Sequence, residues 1–386
     1  DRVSGVIRTV AGNGSSNLSG DGGLATLAAL RSPTDVAFDA TGNLYITDWG
    51  NARIRRVDVA TRLISTFAGT GNAASSGDGG NALQADINPY GLAIDGRGDL
   101  VFTEINQHRV RRIDQSTRTV RTIAGTGTAG FSGHGGPAIS AALSTPHGIS
   151  IDTAGNVFVG DASNYRIRRI DPAGTISTFA GGGNAEENGT SATDVRLTGR
   201  PIDVVMGDSG LWYTEFESGR VRKIDSSTLV VTTVAGGARP GFGGDGGPAI
   251  SASLNAPNRV ARDSKGNLYI GDIDNQRIRR IDGRTGVVST VISSVLPGLP
   301  LTPGGIAFDA ADNLYFSEQR SNRVWRIGAS DGVVVSVAGT GSRGYGGDGG
   351  LATSAILNEP GALRFDADGN LLIAEPGNLR VRKVTM

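Results

Sequence analysis

Short apolar runs separated by polar, glycine-bearing turns follow one another along all 386 residues, and the same order of runs keeps returning. In the copy that starts at Pro33, Val36 to Asp39 is short and apolar, Thr41-Gly42-Asn43 is a turn, and Leu44 to Thr47 is rich in β-branched and aromatic side chains. A second turn, Trp49-Gly50-Asn51, leads into Arg53 to Val57, and Leu63 to Ala68 is a fourth run. Brief runs of this composition between Gly, Asn and Asp predict four β-strands per copy and no helical layer.

Further copies start at Pro89, Pro146, Pro201, Pro257, Pro303 and Pro360, a spacing of 55 to 57 residues with one shorter step of 46 after Pro257. A single four-stranded sheet cannot cover both of its faces, whereas sheets stacked around an axis cover one another. The period therefore predicts an all-β, seven-bladed β-propeller of four-stranded antiparallel blades, formed by residues 1–386 as one domain. The last copy stops after its third strand, Arg380 to Val384, and Gly5 to Gly12 matches the fourth strands at Ile64 to Gly69 and Val120 to Gly125. Residues 1–12 are thus expected to close the ring as the missing strand of the last blade.

The segment Asp48-Trp49-Gly50-Asn51-Ala52-Arg53-Ile54 resembles the core of the NHL repeat, as do Asp161 to Ile167, Asp272 to Ile278 and Glu375 to Val381. The resemblance covers nearly the whole chain and implies a propeller; many similar proteins have six blades, so six is the alternative to the seven counted here. All seven copies keep an acid before the turn (Asp48, Glu104, Asp161, Glu215, Asp272, Glu318, Glu375) and an Arg five residues later (Arg53, Arg109, Arg166, Arg220, Arg277, Arg323, Arg380). No active site needs seven copies, so the pair reads as a clamp between strands.

The 60 glycines suit a chain of many tight turns. Acidic and basic residues balance at 37 each, and 20 of the basic ones lie in the third strands, distributed around the repeat. Some NHL-repeat proteins bind RNA on a basic, aromatic face; this chain has no such concentration, and no nucleic-acid partner is expected. The uncharged stretch from Thr285 to Phe308 contains Pro297, Pro300 and Pro303 and reads as a fourth strand plus a connector, so no membrane span is expected. A chain without Cys that begins at Asp1 suits a processed, secreted, periplasmic or cell-surface protein.

The connectors between copies carry a second repeat, Gly20-Asp21-Gly22-Gly23, Gly77-Asp78-Gly79-Gly80, Gly244-Asp245-Gly246-Gly247 and Gly347-Asp348-Gly349-Gly350, with Gly133-His134-Gly135-Gly136 as a variant. One acid per loop falls short of a calcium site and there is no Walker pattern, so each Asp is expected to cap the short Ala-rich turn that follows it. Residues 182–200, with Glu186-Glu187-Asn188-Gly189-Thr190, and residues 293–302 depart from the pattern.

Departures from a repeat are where a site is sought. His108, His134 and His147 fall in turns or connectors expected to open on one face, a trio suited to a metal ion. NHL-like propeller enzymes such as amidating and streptogramin lyases place His ligands or His catalysts near the channel mouth. No cofactor is predicted; zinc, which suits histidine ligands, or calcium is the ion expected if the chain holds one. The positions after each starting Pro predict a polar channel mouth of Asp35, Tyr90, His147, Asp203, Asn258 and Arg259, able to bind a small ligand or a partner's side chain. The function that follows is a non-catalytic binding or scaffold propeller for a protein or glycan partner, with a metal-dependent lyase or hydrolase near His147 as the alternative. The uncharged strand Val287 to Ile292 is expected to be an open outer edge available for self-assembly.

Overall fold

The computed structural model describes residues 5–185, 188–207, 209–237, 239–294 and 301–386. Glu186 and Glu187, most of the short connector 293–302, and the first four residues of the closing segment lie outside the described residues.

Seven antiparallel sheets form, five of them with four strands in chain order, so the chain is a seven-bladed β-propeller as the repeat predicts. Blade 1 consists of Pro33–Phe38, Leu44–Asp48, Arg53–Val57 and Ile64–Ala68. Blade 4 gains a two-residue outer strand, Thr190–Ser191, paired with Val230 and Val231. Blade 7 is completed from the other end of the chain: Ile7–Ala11 pairs with Arg380–Val384, with Ile7 opposite Val384 and Thr9 opposite Arg382. The Cα framework divides into two compact units, one holding blades 1, 6 and 7 and the other blades 2 to 5.

Position within the blade decides burial. All five residues of the second strands Leu44–Asp48, Leu100–Glu104, Val157–Asp161, Leu314–Glu318 and Leu371–Glu375 are buried, because a sheet packed between two others is covered on both faces. Within the second unit, Phe158, Ile167, Val204, Leu211, Tyr213 and Val231 form one inter-blade core, and Val101, Val110, Leu143, Val159 and Ile176 form another. In the first unit Tyr315, Val324, Leu363, Ile373 and Val384 play the same part.

The turn between second and third strands has one backbone solution. The residue before the first Arg of the third strand is left-handed in every blade: Ala52, His108, Tyr165, Gly219, Gln276, Asn322 and Leu379 have φ between 49° and 66°. Six of the seven are not glycine, a conformation that costs roughly 1 kcal/mol each and persists because the strands on either side fix it.

Two expectations are corrected by the fold. The short turns Ala25–Leu27, Ala138–Ser140, Ala249–Ser251 and Ala352–Ser354 do form as 3₁₀ helices, but no side chain caps any of them. The outer strand of blade 5 is not an open edge either. Its Val288 exchanges backbone hydrogen bonds with Gly246 and Gly247 of the preceding connector, and the Thr290 hydroxyl donates to Asp245 Oδ2 at 2.6 Å. The connector thus lies along the strand and occupies the backbone groups of Val288 and the hydroxyl of Thr290.

Candidate functional site

Six arginines at the centre of the third strands, Arg55, Arg111, Arg168, Arg222, Arg279 and Arg382, are fully buried. Each lies 3.3 to 3.8 Å from the acid that ends the second strand of its own blade. The clamp expected from the sequence therefore exists with a different Arg. The acid and the Arg five residues later are register partners, but the guanidinium of Arg53 turns to the carbonyls of Asn51 and Thr70 while Arg55, two residues on, faces Asp48. Gly71, at φ 106°, leaves room for this: a Cβ there would meet Arg53 Nη1 at 2.4 Å.

The connector acids supply the second carboxylate. Asp21 accepts from Arg55 at 2.7 Å, Asp78 from Arg111 at 2.6 Å, Asp245 from Arg279 at 2.8 Å and Asp348 from Arg382 at 2.6 Å. Burial pushes the inner acids up, Asp161 to about 6 and Glu375 to about 7. For the outer ones burial works the same way, but hydrogen bonds from Thr122 and Arg111 hold Asp78 below its ordinary value, and those from Thr9 together with the charge of Arg382 do so for Asp348. Blade 6 breaks the rule at both places. Trp325 stands where the others have Arg, the connector 293–302 contains no acid, and Glu318 instead accepts the backbone amides of Thr302, Arg320 and Ser321.

Two of the three histidines fit this scaffold. His108 Nδ1 accepts the amide of Thr145 at 3.1 Å, as Asn322 Oδ1 accepts that of Glu359 at 3.0 Å in blade 6. His134 Nδ1 accepts the amide of Thr178 at 3.0 Å, as Asp78 accepts that of Thr122 and Asn188 that of Thr233. Both substitute for a hydrogen-bond acceptor that other blades take from Asn or Asp. Among the described residues no group of three His, Cys, Asp or Glu side chains is arranged to hold a metal ion.

His147 is the departure that remains. It begins the first strand of blade 3 and meets Tyr90 of blade 2 edge to face, with centroids 5.0 Å apart. Burial lowers its pKa to about 4, with the positive charges of Arg259 and Arg200 adding to the effect against a hydrogen bond to Ile202. Arg259 is 43% exposed and lies 3.8 Å from Asp203, whose other oxygen accepts the Val260 amide at 3.0 Å. Asn258 keeps a buried Oδ1 with no hydrogen-bond partner among the described residues. These five residues belong to the second unit; Asp35 belongs to the first, where it pairs with Arg364 at 3.7 Å. The starts of blades 2 to 5 thus carry an aromatic pair and a half-exposed guanidinium, with His147 held neutral at pH 7.

Blades whose second and third strands are tied through a buried acid and arginine, and whose outer edges are covered by glycine-rich connectors, define an NHL-type propeller. The NHL repeat model matches residues 30–57 and the teneurin NHL domain model matches residues 126–205. By these matches the chain is similar to the NHL-repeat β-propellers. It is 28% identical to human teneurin-4 over 98% of this chain and 13% of the relative, and 26% identical to human NHL repeat-containing protein 2 over 66% of this chain and 39% of the relative. The protein SUPPRESSOR OF QUENCHING 1 of Arabidopsis thaliana is 26% identical over 72% of this chain, which spans 27% of that relative. Among solved structures a streptogramin B lyase superposes with a TM-score of 0.64 at 16% identity, over 99% of this chain and 98% of the other, a likeness of fold.

Proposed function

We propose that this propeller is a non-catalytic binding or scaffold module, working outside the cytosol, that receives a protein or glycan partner on the lip formed by Tyr90, His147 and Arg259. One observation carries the reading: a half-exposed Arg259 whose positive charge acts on His147 of the Tyr90–His147 aromatic pair. Rigid aromatics next to an arginine are the side chains that dominate recognition surfaces, and aromatic faces also stack on sugars. The basicity of His147 supports the same reading. A general base works best with a pKa near the working pH, and His147, lowered to about 4, is suited to hydrogen bonding rather than to proton abstraction. Similarity to teneurins and to NHL repeat-containing protein 2 agrees with a binding role. The lack of Cys suits export.

Binding of the full chain to a glycan array and to a panel of secreted ectodomains, beside Tyr90→Ala and Arg259→Ala, tests this. A ligand that both variants lose by tenfold or more places recognition on the lip. A ligand that both retain moves it elsewhere on the propeller. Elemental analysis of wild type and His147→Ala tests the lyase or hydrolase reading, since a stoichiometric transition metal lost in the variant would replace the binding module with a metal enzyme.

A further inference from the structure

A cavity of about 630 Å³ opens between blades 3 and 4 at the ends of the strands that lead away from the Tyr90–His147 lip. Its size falls within the range of small-molecule pockets. Three departures from the repeat create it. In blade 1 the turn between first and second strands is filled by Asp39, Thr41 and Asn43, hydrogen-bonded to one another. In blade 4 the turn sequence is shorter, Gly207-Asp208-Ser209-Gly210, with Gly207 opposite Gly210 and Asp208 outside the described residues.

The second is Phe158: four blades have no hydroxyl at this position (Val101, Phe158, Trp212 and Leu372), and of these Phe158 lines the cavity. The equivalent positions of blades 1, 5 and 6 hold Tyr45, Tyr269 and Tyr315, each the register partner of an Arg on the third strand. The hydroxyls of Tyr269 and Tyr315 hydrogen-bond both that Arg and the turn Asp, while Tyr45 donates to Asp39 at 3.3 Å. Phe158 faces Arg169 across the same register and has no hydroxyl to offer.

Arg169 is the third. Basic residues at its position in five other blades meet carboxylates, as Arg56 meets Asp58 at 3.2 Å, Arg112 meets Asp95 at 3.4 Å and Arg280 meets Asp282 at 3.0 Å, while Arg326 of blade 6 donates to Asn313 Oδ1. Arg169 donates through Nε to Asn156 Oδ1 at 3.0 Å, and its two terminal nitrogens have no partner among the described residues. It lines the cavity, half-buried, beside an apolar wall of Phe158, Phe179, Met206 and Leu229. Asp152, also in the lining, has both oxygens occupied by Asn156.

We propose that this cavity binds a monoanionic amphipathic carboxylate, an aryl or alkyl acid whose carboxylate takes the terminal nitrogens of Arg169 and whose apolar body lies against Phe158, Phe179 and Met206. The planar fork of a single guanidinium matches a carboxylate. The neighbouring charge of Asp152 disfavours a dianion such as a phosphate monoester. The site lies apart from the Tyr90–His147 lip and does not depend on what binds there.

Calorimetric titration of the full chain with 2-naphthoate, and with 2-naphthalenemethanol as its neutral counterpart, tests the assignment. The acid is expected to bind about tenfold or more tighter than the alcohol, the worth of a charge-assisted hydrogen bond. Arg169→Gln should abolish that preference and leave the alcohol's affinity in place. Arg56→Gln, which changes net charge equally outside the cavity, should keep the preference. Phe158→Tyr returns the hydroxyl to Arg169 and Asp152, and should weaken naphthoate binding without lowering the melting temperature, so the result stands even if Arg169→Gln folds poorly. Absence of naphthoate binding at millimolar concentration, equal affinity for acid and alcohol, or a preference that survives in both Arg169→Gln and Phe158→Tyr would overturn the proposal.

Discussion

Arg55 donates to Asp21, a residue 34 positions earlier in the chain, at 2.7 Å, and in doing so fastens the connector to the blade that follows it. The other oxygen of Asp21 accepts the hydroxyl of Thr66 on the outer strand at 2.6 Å. A carboxylate at the rim thus joins a guanidinium buried in the blade to the edge that would otherwise be free. The same arrangement recurs at Asp245, Arg279 and Thr290.

Removing the rim acid leaves a buried guanidinium facing one carboxylate. Asp245 is partly exposed, which moderates the loss, so Asp245→Ala should cost about 1 to 3 kcal/mol, and Thr290→Val about 1 kcal/mol. Asp245→Ala combined with Arg279→Met should cost less than the two single changes added together, because each exposes the same broken contact. Urea unfolding of the four proteins checks this. Strict additivity would show that Asp245 and Arg279 are not energetically coupled.

Blade 6 offers the reverse experiment. Trp325 is 9% exposed and occupies the place of the buried arginines. Trp325→Arg would set a guanidinium beside Glu318, whose oxygens already accept three backbone amides, with no connector acid in the 293–302 sequence to meet it. A loss of about 3 kcal/mol or more is expected from the poorly compensated charge. A variant as stable as wild type would mean that Glu318 alone suffices.

The repeat was legible because each strand is written many times: the positions of the blade 1 strands follow from alternation and turn residues, and the closure by Ile7–Ala11 from the strand missing at the other end. The partner of Asp48 was misread as Arg53, since register neighbours are the obvious pair, whereas the contact is diagonal, with Arg55. The role of Asp21 was misread as a cap because its partners lie 34 and 45 residues away and depend on the path of the connector. One signal was available. The only third strand with Trp in place of this Arg follows the shortest connector, which has no acid, whereas blade 3, with His134 in place of the connector Asp, keeps Arg168. The cavity beside Arg169 had no local motif at all, because it arises from the shorter turn of blade 4 beside Phe158 and Arg169 of blade 3.

Two groups should give opposite pH dependences of stability. His147 falls to about 4 from an ordinary 6.5 when folded, so between these values the unfolded chain binds the extra proton. Its contribution is present above pH 6.5 and is lost as pH falls toward 4, by about 1 to 2 kcal/mol after allowing for partial exposure. Glu375 rises from 4.5 to about 7 on burial, so there the folded chain holds the extra proton and stability falls as pH rises through that window. Relative to wild type, His147→Asn should remove some of the loss on acidification and Glu375→Gln some of the loss toward neutrality. Urea midpoints at pH 4.5 and 7.5 read both. Parallel pH profiles for wild type and the two variants would mean that neither group titrates in this range.

Closure of blade 7 rests on few residues, and removing them tests whether the strand from the other end is needed. Ile7 is fully buried, its amide donates to the Gly350 carbonyl, and the Thr9 amide donates to Asp348 Oδ2 at 2.8 Å, the acid that also holds Arg382. Deleting residues 1–12 removes the pairing partner of Arg380–Val384 and opens a strand edge beside Val381 and Val384, both otherwise buried. The truncated protein should melt well below the full chain and scatter light in a concentration-dependent way, since an exposed edge pairs with other chains. A synthetic peptide of residues 5–14 added in excess should restore part of the melting temperature, because it supplies the same hydrogen bonds without the covalent link. A truncated protein that melts with the full chain and stays monomeric would show that three strands suffice for blade 7.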